Sequence, residues 1–420
     1  MELLKTSHRR AVLLAASGFA MTVQAAGAVD LTMWVRDSGA TLTTRVVDRW
    51  NETHPDDPIE LTVIPANDLL TKFATASAAG DVPDLLSLDL IFAPPLMRSG
   101  QLMDITDQMT DDPNIGKTVQ AHIDLATYEG RLYGVPFTPD NSVLIWNKDL
   151  FEQAGLDPED PPSTTEEIVA AARAIGALGD DIHGWHFSGA CAGCNIFTMA
   201  PQMWASDGTA VLPDSCEAEP LQGESIRQVL QGYRTMWEEG LIAESAQVDT
   251  GANFMTNFLA GNVGLQGTGN FAIGLAKEQA PDLNFGIAFL PGSNEGEVSS
   301  FAGGDILTIP ADSPNPEKAL EMLKWVLTDD PQLEVYAKTG NLPARTDLAD
   351  NEYFQEDPRL TKTAEALAVA QTPYTYWFFQ LSNDPAGPWL EMIQTAVFDG
   401  DVDGAIEYAK QRMNDIACEQ

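Results

Sequence analysis

From Leu31 to Val35 the chain is a short apolar run, and Leu42, Val46 and Trp50 then recur at helical spacing up to His54-Pro55. The alternating stretch Ile59 to Ile64 predicts a strand. Leu69, Leu70, Phe73 and Ala76 predict an amphipathic helix stopped by Gly80, and Asp84 to Leu88 resumes as a strand. Strand and helix alternate, which is the sign of an α/β layer with mainly parallel strands. A second α/β layer begins after Pro139. Val143 to Trp146 reads as a strand, Asp149 to Ala154 as a short helix, and Ser163-Thr-Thr-Glu166 as a capping box that opens another helix. Ile226, Val229, Tyr233, Met236 and Trp237 mark one face of a longer helix, and Leu320, Leu323 and Leu327 do the same later. No repeat of about 20–50 residues, heptad run or low-complexity tail interrupts this pattern.

The segment Phe254 to Ala272 condenses the same grammar. Phe254, Phe258 and Leu259 sit at helical spacing, Gly261-Asn262 supplies a stop, and Val263 to Leu265 is a short apolar strand. A turn from Gly267 to Phe271 then offers backbone N–H groups, an amide and a ring face together. That combination suits a neutral polyhydroxyl ligand better than a reactive one.

The N-terminus changes the picture. Lys5, Arg9 and Arg10 precede an apolar run from Ala11 to Met21, and small residues follow at Ala25, Ala26 and Ala28. This pattern reads as a cleaved secretory signal over residues 1–26, too short to anchor the chain, and it predicts a periplasmic protein. The Arg9-Arg10 pair raises twin-arginine export as an alternative to the general route. Removing the signal takes Lys5, Arg9, Arg10 and Glu2, so the exported chain is two units more negative than the −39 of the whole sequence. Nucleic acid and anionic membrane surfaces are poor partners for such a protein. At 44% hydrophobic residues the chain is nevertheless too apolar to be disordered, and its 420 residues suit two large lobes better than one small core.

Cys191, Cys194, Cys216 and Cys418 all follow the signal, so disulfides are the expectation in an oxidising compartment, with all three pairings open. His183 and His186 with Cys191 and Cys194 also offer four soft ligands within a short span, although oxidation would compete with zinc for the thiols. No cofactor is expected.

Four phrases, in order, resemble the family 1 extracellular solute-binding proteins of ABC importers, the group that includes maltose-binding protein. The first is Ala76-Ser-Ala-Ala-Gly80-Asp-Val-Pro83-Asp84. The second runs from Tyr128-Glu-Gly130-Arg-Leu-Tyr133-Gly134-Val-Pro136-Phe137 to Ile145-Trp146-Asn147-Lys148, with Trp146 where the family has Tyr. The third is the Phe254 to Ala272 segment, where Asn270-Phe271 replaces the usual ending and Phe stands for the family's stacking Trp. The fourth comprises Phe301-Ala-Gly303-Gly304-Asp305 and Thr339-Gly340-Asn-Leu-Pro343-Ala344-Arg345. The resemblance implies a two-lobed α/β fold, each lobe a mainly parallel sheet flanked by helices, with a multi-crossover hinge. By similarity, residues 27–137 plus 291–338 form the N-terminal lobe and residues 138–290 plus 339–420 the C-terminal lobe. It further implies a monomer that binds a saccharide without altering it and hands it to permease subunits in the inner membrane.

A sugar presents hydroxyls that donate and accept and C–H faces that are apolar, so its site needs carboxylates, amides and rings. Ligands of open α/β sheets bind beyond the carboxyl ends of strands, which directs attention to Trp34 and Arg36, to Asp89, and to Asp140 and Asn141. The resemblance adds Asn270 and Phe271, then Gly303, Gly304 and Asp305, and Arg345. From the aromatic run Tyr374 to Phe379 it adds Trp377 as a stacking platform. Each has a plainer explanation: a cap for Asp89, a turn for Asp140-Asn141 and for Gly303 to Asp305, core for Trp34, and a salt bridge for Arg345. Two other functions fit the composition. A polyamine binder would use Asp with Trp, and a glycoside hydrolase would need two acids about 5–10 Å apart.

Overall fold

The structure, a computed structural model, describes residues 31–419, so the signal segment lies outside the described residues. Strands β1 (Leu31–Arg36), β2 (Ile59–Ile64) and β3 (Leu85–Asp89) form a parallel sheet with β1 in the centre. Helix α1 (Ala40–Thr53) buries Thr43, Val46, Val47 and Trp50 on one stripe, and it ends at His54 because a residue before proline avoids the helical region. Helix α2 (Ala66–Ala79) ends in Gly80, whose φ of 68° is the left-handed cap that glycine adopts without penalty.

A small hairpin, β4 (Thr127–Tyr128) and β5 (Arg131–Leu132), turns through Glu129 and Gly130, both at positive φ. It leads into β6 (Gly134–Asn147), a continuous strand of 14 residues of which the sequence pattern gave only Val143 to Trp146. Residues Gly134 to Asn141 pair with β11 (Val298–Thr308), whereas Ser142 to Asn147 pair with β8 (Val263–Gly269) and β9 (Phe285–Ala288). In the first sheet β6 is an edge strand, and there Pro136 and Pro139 cost no second ladder. The second sheet continues from β8 to the parallel strand β7 (His183–His186). Strand β11 makes the return crossing. Its first residues pair with β10 (Leu290–Pro291) and β12 (Ala370–Gln371), its last with β3. Crossing strands run out and back, so β6 and β11 pair antiparallel between otherwise parallel layers.

The two crossing strands approach each other closely at Gly304. Its φ is 99°, and a Cβ there would lie 1.9 Å from the carbonyl oxygen of Thr138. Gly304→Ala is therefore expected to cost about 2–3 kcal/mol, read as a lowered urea midpoint. A loss below about 1 kcal/mol would show that the crossing yields freely.

The second lobe is helical on both faces of its sheet. Helix α3 (Thr165–Gly176) is capped by Thr164, whose side chain accepts from the Glu167 N–H at 3.1 Å while Glu167 reaches back to the Ser163 N–H at 2.7 Å. The capping box thus starts one residue later than Ser163-to-Glu166 spacing suggested. Helices α4 (Ala192–Asp207) and α5 (Glu224–Glu238) pack with Trp185, Phe187 and Phe398 around buried Tyr233. Strand β8 runs on to Gly269, so the expected turn at Gly267 is strand, and Phe271 opens helix α6 (Phe271–Gln279). The C-terminal helix α7 (Val402–Cys418) closes the lobe, and among the described residues no helix is long and apolar enough to cross a membrane.

Candidate functional site

The topology brings four charged residues to one place. Arg36 and Asp89 leave the carboxyl ends of neighbouring β1 and β3. Strand β11 sets Asp305 opposite Asp89, and β6 sets Asp140 opposite Gly303. The Arg36 guanidinium donates through Nη1 to Asp89 at 2.7 Å, and through Nε and Nη2 to Asp305 at 2.8 and 2.5 Å. Asp305 is fully buried and also accepts from the Ser87 hydroxyl at 2.6 Å. Asp89 is at once a cap, accepting from the Ile91 N–H at 3.3 Å, and an ion-pair partner. Asp140 accepts only from the N–H of Asn141, at 2.8 Å, among the described residues.

Of these groups Arg36, Asp89 and Asp140 line a cavity of about 620 Å³ whose remaining lining is largely apolar. Phe197 comes from α4, Phe254, Met255 and Leu259 from the segment before β8, and Phe271 and Leu275 from α6. Phe301, Gly303 and Gly304 on β11, together with Phe378, complete the enclosure. The volume falls within the roughly 300–1,000 Å³ of small-molecule sites.

Electrostatics follow from this placement. Burial pushes the Asp140 carboxyl up to about 7, since the Asn141 N–H and Arg36 lower it less than burial, Asp89 and Asp305 raise it. Burial also carries Asp89 to about 6 against the pull of Arg36. Burial by itself would lower the Arg36 pKa, but Asp305 and Asp89 hold it above the usual arginine range. Behind them His122 is buried and held down at about 4, so it stays neutral.

A raised carboxyl means that the native state keeps a proton the unfolded chain has lost. Stability should fall as pH rises from about 4 towards 7 in the unliganded protein, by the Asp140 and Asp89 contributions. Melting curves between pH 5 and pH 8 should show a shallower fall in Asp140→Asn than in the parent. Equal slopes would mean that Asp140 is not held protonated.

Of the residues proposed from sequence, Arg36, Asp89, Asp140, Phe271, Gly303 and Gly304 line the cavity. Asp305 sits directly behind Arg36, and Gly303 to Asp305 are strand, not a turn. Asn141 is fully buried and donates to the Thr363 carbonyl at 2.7 Å, while Asn270 precedes α6 and bonds through its backbone N–H to the Asn141 carbonyl at 3.0 Å. Neither Asn141 nor Asn270 lines the cavity, and three further expectations need correction. Trp34 faces α2, in a separate surface groove, with the Lys72 ammonium 4.6 Å from its ring centre. Arg345 is buried in a cluster with Asp347, Asp329 and Asn114, the bridge that ties segments together. Trp377 is packed in the core, and the next residue, Phe378, faces the cavity in its place. Strand and helix phase decide such swaps, and an irregular aromatic run hides that phase. Phe197 and Met255 were missed because each reads as an ordinary helical core position.

The cysteines pair as Cys191–Cys194 and Cys216–Cys418. The first bond occupies both thiols weighed above as zinc ligands, and His186 faces Asp249 at 3.9 Å, so these four residues form no metal site. Cys191 caps α4 through its sulfur, and Cys194 is part of the cavity wall.

The chain matches the family model described as bacterial extracellular solute-binding protein over residues 34–333. A binding protein of Brucella abortus (strain 2308) is 25% identical over 318 residues, 76% of each chain. The arabinooligosaccharide-binding protein of Halalkalibacterium halodurans is 24% identical over 353 residues, 79% of this chain and 75% of that one. In three dimensions the cyclic alpha-maltosyl-1,6-maltose binding protein from Arthrobacter globiformis superposes with a TM-score of 0.79 at 24% identity, over 94% of this chain and 100% of that one. The fold is thus the two-lobed α/β architecture of such binding proteins. A family model that spans residues 34–333, most of the chain, makes this protein a member of the bacterial extracellular solute-binding family.

Proposed function

We propose that the protein captures a sugar or oligosaccharide in the cavity between its lobes and delivers it to the permease of an ABC importer. One observation carries this reading: the carboxylates of Asp89 and Asp140 and the rings of Phe197, Phe254, Phe271, Phe301 and Phe378 line a single cavity. Such a pairing meets the hydroxyls of a saccharide with acceptors and its C–H faces with rings. The arabinooligosaccharide and maltosyl-maltose proteins named above support the same class of solute. A ligand that touches both lobes stabilises their closed arrangement, and the permease would recognise that form.

In this reading residues 27–137 with 291–338 act as one lobe and residues 138–290 with 339–420 as the other, and β6 and β11 serve as crossings. Asp89, Asp140, Phe271, Gly303 and Gly304 contact the solute, Asp305 holds Arg36, and the sugar leaves unchanged. The protein works as a monomer in the periplasm after loss of its signal segment.

A thermal-shift and calorimetric panel of saccharides and polyamines tests this. A ligand present at about 100 times its Kd adds about 2.7 kcal/mol of stability. At least one saccharide should raise the melting temperature with affinity unmoved by salt. Shifts confined to polyamines and weakened by salt would replace this reading with the polyamine one, and release of product from an aryl glycoside would make the protein a hydrolase.

A further inference from the structure

We propose that the saccharide carries an apolar aglycone, an aryl or short alkyl group, which lies along the Phe271–Leu275 face of helix α6 while the sugar ring meets Asp89 and Asp140. This rests on the sugar-binding reading and specifies the solute within it. Polar side chains are spread unevenly over the cavity lining. The charged ones, Arg36, Asp89 and Asp140, stand at the carboxyl ends of β1 and β3 or on the β6 crossing. Residues 252–279 supply another stretch of the lining, and among the described residues no charged side chain belongs to it. Its polar side chains are those of Thr256 and Gln279.

Helix α6 gives this stretch a direction. Phe271, Leu275 and Gln279 follow one another at intervals of four and all line the cavity, so they share one face, with about 6 Å from each to the next. Phe271 opens the row beside the carboxylate. A Cβ added at Gly269 would lie 2.5 Å from its ring and 3.2 Å from Asp140 Oδ1, which makes ring and carboxylate neighbours. Leu275 comes one helical turn further on, and Phe254, with its ring centre 6.4 Å from that of Phe271, and Leu259 add apolar lining from the preceding segment. The Phe271 ring is 47% exposed, and Phe254, Leu259 and Leu275 are half-buried. This is apolar surface that an occupant would remove from water.

A second sugar ring fits that surface less well than an apolar group does. Its C–H faces would stack on Phe271, but the hydroxyls around its rim would meet leucine side chains, and a hydroxyl taken from water without a partner counts against binding. A phenyl or short alkyl group has no hydroxyl to strand, and its whole surface contributes. The polar corner and the apolar row thus match the two ends of a glycoside.

The experiment compares matched probes on the purified protein by calorimetry: phenyl and methyl glycosides of glucose, galactose, xylose and arabinose in both anomers, the corresponding disaccharides, and phenol. At least one phenyl glycoside should bind at least about tenfold tighter than its methyl twin and than the disaccharide, with a more negative heat-capacity change. Leu275→Asn, shown by its melting curve to be folded, should weaken the phenyl glycoside and shrink the phenyl-to-methyl affinity ratio at least about threefold. The ratio is taken within each protein, so a general loss of affinity does not imitate this result. If methyl glycosides or disaccharides bind as well as phenyl glycosides, the aglycone is excluded and the sugar reading stands. A phenyl preference whose ratio Leu275→Asn leaves unmoved takes the aglycone off helix α6 and overturns the proposal. If phenol alone binds as tightly as its glycosides, or if no glycoside or disaccharide binds, the proposal falls together with the sugar reading.

Discussion

Replacing Arg36 by methionine is expected to abolish solute capture and to lower stability by about 3–5 kcal/mol at pH 8, the usual consequence of removing one partner from a buried ion pair. Asp305 is fully buried and would keep only the Ser87 hydroxyl, while Asp89 would lose its cation altogether. The two carboxylates face each other across paired strands, so their repulsion would no longer be screened. The sign of the pH effect follows. In the intact protein Asp89 already lies near 6, and without Arg36 it moves higher, so the variant gains stability relative to the parent as acid protonates Asp89. Urea titrations at pH 8 and pH 5 should show a large loss at the first and a smaller one at the second. An equal loss at both would mean that packing, not charge, is what Arg36 contributes. Arg36→Lys should recover only part of the difference, because one ammonium cannot reproduce the forked contact to both carboxylates.

Loss of the Cys216–Cys418 disulfide should be comparably severe, and loss of Cys191–Cys194 should not. The first joins residues 202 positions apart and ties the end of α7 to the loop after α4, whereas the second spans three. Chain entropy scales with the logarithm of the closed loop, which gives about 5 kcal/mol for the long loop and about 2 kcal/mol for the short one. The Cys216→Ser/Cys418→Ser double variant should therefore show a clearly lower denaturant midpoint under oxidising conditions. A midpoint within about 1 kcal/mol of the parent would set the entropic account aside. Cys194 lines the cavity and Gly251 packs against both sulfurs, so removing the short bridge should be felt more in solute affinity than in stability.

The elements were largely legible in the chain. β2 occupies the six alternating residues that predicted it, Gly80 ends α2, and the ordered phrases around Pro83, Gly134 and Phe271 announced the family. Periodicity and caps depend on residues within a few positions of one another, and a linear reading captures those. The strand read from Val143 to Trp146 is the end of a longer β6, and Pro136 and Pro139 are tolerated in its first half because that stretch is an edge, which is a property of the sheet.

The site divides in the same way. Arg36, Asp89 and Asp140 were found because strand ends are visible in sequence and α/β sheets bind ligands there. That Arg36 is consumed by Asp305, leaving Asp140 alone, was not visible, since those partners stand 269 residues apart. The choice of Phe378 over Trp377, the retreat of Arg345 into a structural cluster and the cysteine pairing belong to the same class. Local spacing along the chain decided which segments are strands and helices and which family they compose. The crossing of β6 and β11 decided which charges meet and which one is left facing the cavity, because only contacts between distant segments can use up a hydrogen-bonding partner.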